Sequence, residues 1–230
     1  MKKLSVLIFI LCSTLYMNAQ QEMAVNKAQL DRDVKELKAY QAKVAEFETA
    51  FANKNGSKVV TIKADLISMM QREIEQSEKK IAQDKQEMAR SKFEVADSKR
   101  ETKRSRFDLV TPDNDAKDAR DLRDDRRDLK DDQRDAMDDK SDLEQQIART
   151  QRQKQIYTTL QAFTFSFEGS IHEKAMMNKA LLIEFADTME QDIATTKAEI
   201  AEDKREAIED RRERKEDRRE WAEKRRNKNW

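Results

Sequence analysis

The chain has 230 residues, of which 47 are Lys or Arg and 47 are Asp or Glu, and it contains two glycines, one proline, one cysteine and one histidine. A charged fraction of 41% and so few turn-forming residues exclude the many tight turns of a β-sandwich, a barrel or an α/β sheet. Glycines, cysteines and histidines are also too few for a phosphate-binding loop, a zinc site or a Cys–His nucleophile. We therefore expect an all-α protein that is not an enzyme and needs no cofactor.

Residues 1–19 have the pattern of a secretory signal peptide. Two lysines precede an apolar run that starts at Leu4, and Ala19 stands before a polar residue. The run is too short for a comfortable membrane span. We expect cleavage after Ala19, export to the periplasm or the extracellular space, and a single domain over 20–230. After cleavage, which removes the two lysines, the chain would have 45 basic and 47 acidic residues. This near balance of charge argues against nucleic-acid binding.

Apolar residues recur at helical spacing, and breakers divide the chain into four predicted helices, over about 22–53, 59–110, 114–167 and 171–228. The breakers are the segment Asn-Lys-Asn-Gly-Ser at 53–57, Pro112 followed by capping residues Asp113 and Asn114, and Gly169 with Ser170. The second helix repeats one seam position every seven residues, as coiled coils do: Ile67, Ile74, Ile81, Met88, Val95, Thr102 and Leu109.

The distribution of large apolar residues predicts how these helices are arranged. Short links between long helices make neighbours antiparallel. Apolar residues are dense in 25–88, 143–167 and 171–200, and sparse in the remaining parts of the same helices. In an antiparallel arrangement, the density of apolar residues would fall at the same level along the bundle axis in three helices. We therefore expect an elongated antiparallel helical bundle or coiled coil. A four-helix base with an apolar core would continue as a three-helix charged stalk.

Twelve aspartates and no glutamate lie between residues 114 and 142. Ten of them share one face of the predicted third helix: Asp121, Asp124, Asp125, Asp128, Asp131, Asp132, Asp135, Asp138, Asp139 and Asp142. Like charges at this spacing repel, so something must compensate.

Three interpretations of this Asp stripe are open. The first is an ion-pair network with a basic face of the fourth helix, formed by Lys204, Arg211, Arg212, Lys215, Arg218 and Arg219. The second is divalent-cation binding, for which the weak metal candidates are Asp124, Asp125, Asp131, Asp132, Asp138 and Asp139. The third is an external basic partner, including a second copy of this chain.

Phe163, Phe165 and Phe167 are the candidate partner-binding residues. In a helix, Phe163 and Phe167 would share a face and enter the core while Phe165 points elsewhere, and a short strand beside residues 59–62 is the alternative. We expect the helix, with an apolar contact patch at this end of the molecule. The single histidine, His172, is expected at a helix start without a catalytic role.

The last twenty residues, 211–230, hold ten basic and five acidic groups together with Trp221 and Trp230. Such an end could touch anionic lipid headgroups, although its thin apolar face makes a solvated helix end the stronger expectation.

These features predict an exported, non-enzymatic structural or adaptor protein of the cell envelope that acts through protein–protein contacts. Its partners would be envelope or secreted proteins, with homo-oligomers as a further option. The general plan, a signal peptide followed by long charged helices, resembles that of the Skp family of periplasmic chaperones, although the chain lacks a strong basic excess. The resemblance implies a holdase for unfolded envelope proteins. Six methionines are expected to fill the core as adaptable side chains, with a pliable surface for unfolded clients as the alternative: Met69, Met70, Met88, Met176, Met177 and Met189.

Overall fold

The computed structural model contains four α-helices, and the part of the chain that it describes has no strand. The backbone is described for 2–111 and 116–227, and side chains for 24–111, 117–168, 171–205 and some later positions of the last helix. The helices are α1 (Lys2–Ala52), α2 (Gly56–Asp108), α3 (Ala116–Ala162) and α4 (Gly169–Asn227). The all-α prediction is therefore confirmed.

Helix α1 begins at Lys2, about twenty residues earlier than predicted. Residues 2–21 contain no Gly or Pro, so nothing in the apolar run or the polar residues after it interrupts a helix. The signal peptide itself stays a prediction, because the side chains of this segment lie outside the described residues.

The link between α1 and α2 is a Schellman motif. The N–H of Lys54 donates to Phe51 O at 3.0 Å, and the N–H of Asn55 donates to Ala50 O at 2.9 Å. Lys54 has a φ of 52°, in the left-handed region where glycine is the usual residue. The Asn55 side chain then caps α2 by accepting from the N–H of Lys58 at 3.2 Å. The chain therefore reverses within three residues.

The predicted break at Pro112 and its capping residues lie outside the described residues. Helix α2 ends just before them at Asp108, close to the predicted residue 110. Tight backbone hydrogen bonds finish it, with Val110 N donating to Phe107 O at 3.0 Å and Thr111 N donating to Asp108 O at 3.2 Å.

Helix α3 ends at Ala162, so the prediction that it continues to about 167 was wrong. Residues 163–167 are non-helical, and they are not a strand either. The Lys63 ammonium stabilises the early ending, because it donates to the exposed carbonyls Gln161 O at 3.1 Å and Phe163 O at 2.6 Å. Partial burial at this position lowers the pKa of Lys63.

The chain forms two compact units that both draw on α1 and α4. The larger unit, Lys43–Phe185, contains all of α2 and α3, and α2 packs along α3. Its core is apolar around Phe47, Leu66 and Met70, all at most 1% exposed. Towards the middle of α3 the interior becomes polar, with Gln146 and Gln153 at most 1% exposed.

The smaller unit consists of Met1–Ala42 and Ala186–Trp230. Its α1 and α4 segments run antiparallel, because Gln41 Nε2 donates to Glu190 Oε1 at 2.8 Å and Asn26 Nδ2 reaches Asp203 Oδ2 at 3.5 Å. Tyr40 is 1% exposed, and burial raises the pKa of its hydroxyl.

Candidate interaction surfaces

A ladder of hydrogen bonds runs along the contact between α2 and α3, which together form an antiparallel hairpin. Serines that recur every seven residues on α2 donate their hydroxyl protons to carboxylates that recur every seven residues on α3. The pairs are Ser91 with Asp139, Ser98 with Asp132, and Ser105 with Asp125. The ladder continues at the other end, where the Ser77 hydroxyl donates to Gln153 Oε1 at 3.2 Å. Each step along α2 is matched by an equal step back along α3, so the register is constant.

Apolar layers alternate with these polar pairs. The constant register places the predicted seam residues of α2 opposite their counterparts on α3: Ile81 with Thr150, Met88 with Leu143, Val95 with Ala136, Thr102 with Leu129, and Leu109 with Leu122. Leu122 and Leu143 are each 5% exposed, and the remaining side chains of these layers are buried or half-buried. The seam of the hairpin is therefore layered, and one layer in two is polar.

The predicted Asp stripe is divided between two environments by this seam. Asp125, Asp132 and Asp139 accept from the serines. Their neighbours in sequence point outward, and two of them pair with arginines of α3: Asp124 with Arg127 at 3.6 Å, and Asp131 with Arg134 at 3.3 Å. Asp138, the sixth weak metal candidate, is exposed. Among the side chains that the structure describes, no group of three or more His, Cys, Asp or Glu residues could hold a metal ion.

One flank of the hairpin, the acidic flank, carries an acidic residue immediately before each apolar seam position. Its members are Glu87, Glu94, Glu101 and Asp108 on α2 and Asp121, Asp128, Asp135 and Asp142 on α3. Partial burial raises the pKa of Glu94, and the nearby Asp132 and Asp139 raise it further. Partial burial and neighbouring carboxylates likewise raise the pKa of Asp128, Asp135 and Asp142. Carboxylates of α3 therefore repel Glu94 of α2 on this flank at neutral pH, whereas Asp121 and Asp135 pair within α3 with Lys117 at 3.2 Å and with Arg134 at 3.4 Å.

The opposite flank, the basic flank, carries a basic residue immediately after each polar seam position in most repeats. Its members are Lys85, Lys92, Lys99 and Arg106 on α2 and Arg126 and Lys140 on α3, and all six are exposed. Lys154, nearer the α3–α4 link on the same flank, pairs with Glu78 across the hairpin at 2.6 Å. The upper part of the hairpin, from about residue 85 to about residue 142, therefore presents two long edges of opposite charge.

The three candidate phenylalanines fold back onto the end of α1 and form an aromatic cluster. Phe165 makes edge contacts with Phe47, at a ring-centroid distance of 4.8 Å, and with Phe51, at 6.0 Å. Phe163 packs against Phe165 at 4.9 Å, and Phe167 packs against Phe51 at 5.2 Å. The prediction that Phe165 points away from its neighbours was therefore wrong, because the segment is not helical and Phe165 occupies the centre of the cluster. All three side chains are half-buried, and a role in partner binding stays a prediction.

His172 is exposed in the first turns of α4 and stacks on Phe51, with ring centroids 5.8 Å apart and an interplanar angle of 4°. Nearby on α4, Met176, Met177 and Ile183 are 46%, 74% and 47% exposed. These side chains form the apolar surface of α4.

The basic face predicted for the upper part of α4 is exposed at the positions named above. Its pairing with the Asp stripe stays a prediction. Trp221 and Trp230 lie outside the residues whose side chains are described. Among the described residues, no helix combines the length and the hydropathy needed to cross a bilayer.

Comparison with known proteins adds no relative to this picture: no family model matches the chain, and neither a curated protein nor a solved structure shows significant similarity to it. The class of protein that the helices define is an all-α protein in which α2 packs along α3.

Sequence reasoning missed the serine ladder and the separation of the two flanks. The sequence does contain a signal, because Ser91, Ser98 and Ser105 recur at an interval of seven residues. A search for large apolar residues alone does not identify serines as seam positions.

Proposed function

We propose that this chain is an exported, non-enzymatic structural or adaptor protein of the cell envelope, which acts through protein–protein contacts. The observation that supports this function most directly is the unbroken register of the hairpin. From Ser77 to Ser105 the seam spans 28 residues, about 42 Å of helix, and hydrogen bonds across it at Ser77, Ser91, Ser98 and Ser105 keep the same register. Such a seam resists bending and sliding, which are the properties a spacer needs.

In its finer form the proposal keeps the predicted elongated bundle, with a four-helix base and a charged stalk. The spacer role needs the hairpin to stay straight and in register. It does not need the upper part of α4 to lie against the hairpin as the third helix of the stalk. Small-angle scattering of the full chain tests the elongated form, because a compact particle would contradict it.

Site-specific photo-crosslinking in the native cell tests the adaptor role. A crosslinking side chain replaces Thr164 in the link beside the aromatic cluster or Val110 at the far end of α2, both of which are exposed. The adaptor proposal expects discrete adducts with other envelope proteins from both positions. Lys79, exposed on the lower part of α2, is the matched control and should give none. Absence of adducts from both ends would refute the proposal.

A holdase is the second candidate, and the apolar surface of α4 is the observation that favours it. Flexible methionine side chains adapt to varied apolar clients. A holdase would suppress the aggregation of an unfolded outer-membrane protein at near-stoichiometric ratio, and Met176→Ser with Met177→Ser would weaken the suppression. Met137→Ser is the control, because Met137 is equally exposed, at 71%, but lies on the hairpin. No suppression by the unmodified chain would exclude this candidate.

A further inference from the structure

Part of the charge along the edges of the upper hairpin is not neutralised across the seam between α2 and α3. Opposite charges at the edges of a coiled coil normally attract across the seam and choose the partner helix. In this hairpin Glu94 lies beside Asp135, and Glu101 occupies the equivalent position one heptad further along. On the other side, Lys92 and Lys140 follow the members of one serine–aspartate pair. The edge charges of α2 and α3 therefore do not neutralise each other.

We propose that the acidic flank of one copy of this chain docks against the basic flank of a second copy. Both flanks are present on the same hairpin, and both repeat every seven residues, about 10.5 Å along the helix. An identical hairpin laid alongside therefore offers a basic side chain for successive acidic ones over about three heptads, or 30 Å. No external partner is required to supply the complementary charge pattern.

Exposed apolar side chains lie one or two helix rows from the basic flank, and a second copy docked on this flank would cover part of them. Phe93 and Phe107 on α2 are 63% and 72% exposed, and a row containing Ala89 and Ala96 separates them from the flank lysines. Met137 on α3 is one helical turn from Lys140 and is 71% exposed. Burial of these side chains adds an attraction that salt does not screen.

The docking surface differs on the two copies, because one contributes its acidic flank and the other its basic flank. Such a heterologous contact leaves the second flank of each copy available for another neighbour. The contact therefore extends into an array rather than closing at a symmetric dimer. This assembly does not depend on the proposed adaptor role. Crosslinking tests the adaptor role and sedimentation tests self-association, so either proposal can fail while the other stands.

Sedimentation velocity of the full chain over a range of concentrations tests the proposal. We expect species larger than the monomer at low ionic strength, with an association constant that falls at least about tenfold between 0.05 and 0.5 M salt because the Debye length shrinks. A chain that stays monomeric at high concentration and low salt would overturn the proposal. A monomer is the result expected if the acidic flank instead formed ion pairs with the basic face of α4 in the same chain.

Two variants then separate the flanks. The acidic-flank variant carries Glu94→Lys and Glu101→Lys, and the basic-flank variant carries Lys92→Glu and Lys99→Glu. Each alone should stay monomeric at concentrations where the unmodified chain associates, because reversing two charges of one flank places like charges opposite each other in the contact. Their mixture should form one-to-one dimers, since the intact basic flank of the first variant meets the intact acidic flank of the second. Continued association of either variant alone, or failure of the mixture to dimerise, would refute the flank-to-flank contact.

Milder changes protect the test against a folding defect. The neutral variants Glu94→Gln with Glu101→Gln, and Lys92→Gln with Lys99→Gln, should each lower the association constant at least about fivefold while helicity stays at the level of the unmodified chain. The control is Lys58→Glu with Arg72→Glu, which changes the net charge as the basic-flank variant does but lies on exposed positions of lower α2. Equal weakening by the control would show a net-charge effect and overturn the assignment to the flanks.

Discussion

Removal of one rung of the serine ladder tests whether the polar layers stabilise the hairpin. Ser98 donates to the Asp132 carboxylate, and both side chains are half-buried in the seam. A hydrogen bond to a charged group contributes about 1.5–3 kcal/mol. Because water still reaches this seam, we expect a coupling free energy between the two side chains of about 1–2 kcal/mol. Alanine is the better helix former by about 0.5 kcal/mol, so Ser98→Ala alone costs less than the full hydrogen bond.

A double-mutant cycle separates these contributions. The cycle compares the unmodified chain with Ser98→Ala, Asp132→Ala and the double variant, using native-state hydrogen exchange of the amides in 91–108 as the local measure of stability. Ser68→Ala, at an exposed position of the same helix, measures the helix-propensity gain alone. Asp132→Ala also lowers the repulsion within the Asp stripe. The cycle cancels this effect, because it is the same with and without the Ser98 hydroxyl.

Additivity would refute the reasoning. If the two single effects sum to that of the double variant within about 0.3 kcal/mol, the hydroxyl and the carboxylate do not stabilise each other. The register of the hairpin would then depend on the apolar layers alone.

Three further outcomes follow from the same structure. Partial burial raises the folded-state pKa of Glu94 and of the acidic-flank aspartates, so protonation relieves an unfavourable charge. This contribution to hairpin stability is fully present below the ordinary carboxyl pKa values of about 4 and is lost as pH rises through the raised values, so exchange protection in 91–108 should increase as pH is lowered from 7 towards the raised values, less so in Glu94→Gln. Lys54→Gly should raise the free energy of unfolding by about 0.5–1 kcal/mol in urea denaturation, because glycine adopts a positive φ without strain, and a loss would contradict the assigned turn. Phe165→Ala should cost about 2–3 kcal/mol in the same assay by removing the edge contacts with Phe47 and its neighbour, whereas a cost as small as that of exposed Thr164→Ala would refute the cluster.

The number and order of the helices followed from the breakers, because a chain with two glycines and one proline has few places to turn. The helix boundaries were less predictable where tertiary contacts decide them. Residues 163–167 have helical neighbours on both sides, yet the chain leaves the helix at Ala162. Lys63, about one hundred positions earlier in the chain, satisfies the carbonyls at that end, and no local pattern reveals such a contact.

The candidate site was predicted in its charges but not in its geometry. The Asp stripe was visible as a pattern, whereas the direction of each carboxylate depends on which side of α3 meets α2. Asp131 and Asp132 are adjacent in sequence, but one pairs with Arg134 and the other accepts from Ser98. A helical rotation of 100° between them is enough to place one in the seam and the other in solvent.

The serine ladder leaves one ambiguity in register, and the aromatic end of the hairpin resolves it. Because serines and aspartates both repeat every seven residues, a shift of one heptad would pair Ser91 with Asp132 and keep most rungs intact. The ladder therefore excludes shifts of one to six residues but not of seven. The contact of Lys63 with the carbonyls at the end of α3 occurs once, so a shifted hairpin would lose it, whereas Ser77 would meet Gln146 in place of Gln153. Periodic polar layers align the helices locally, and the singular contacts near the link select which of the equivalent alignments the chain adopts.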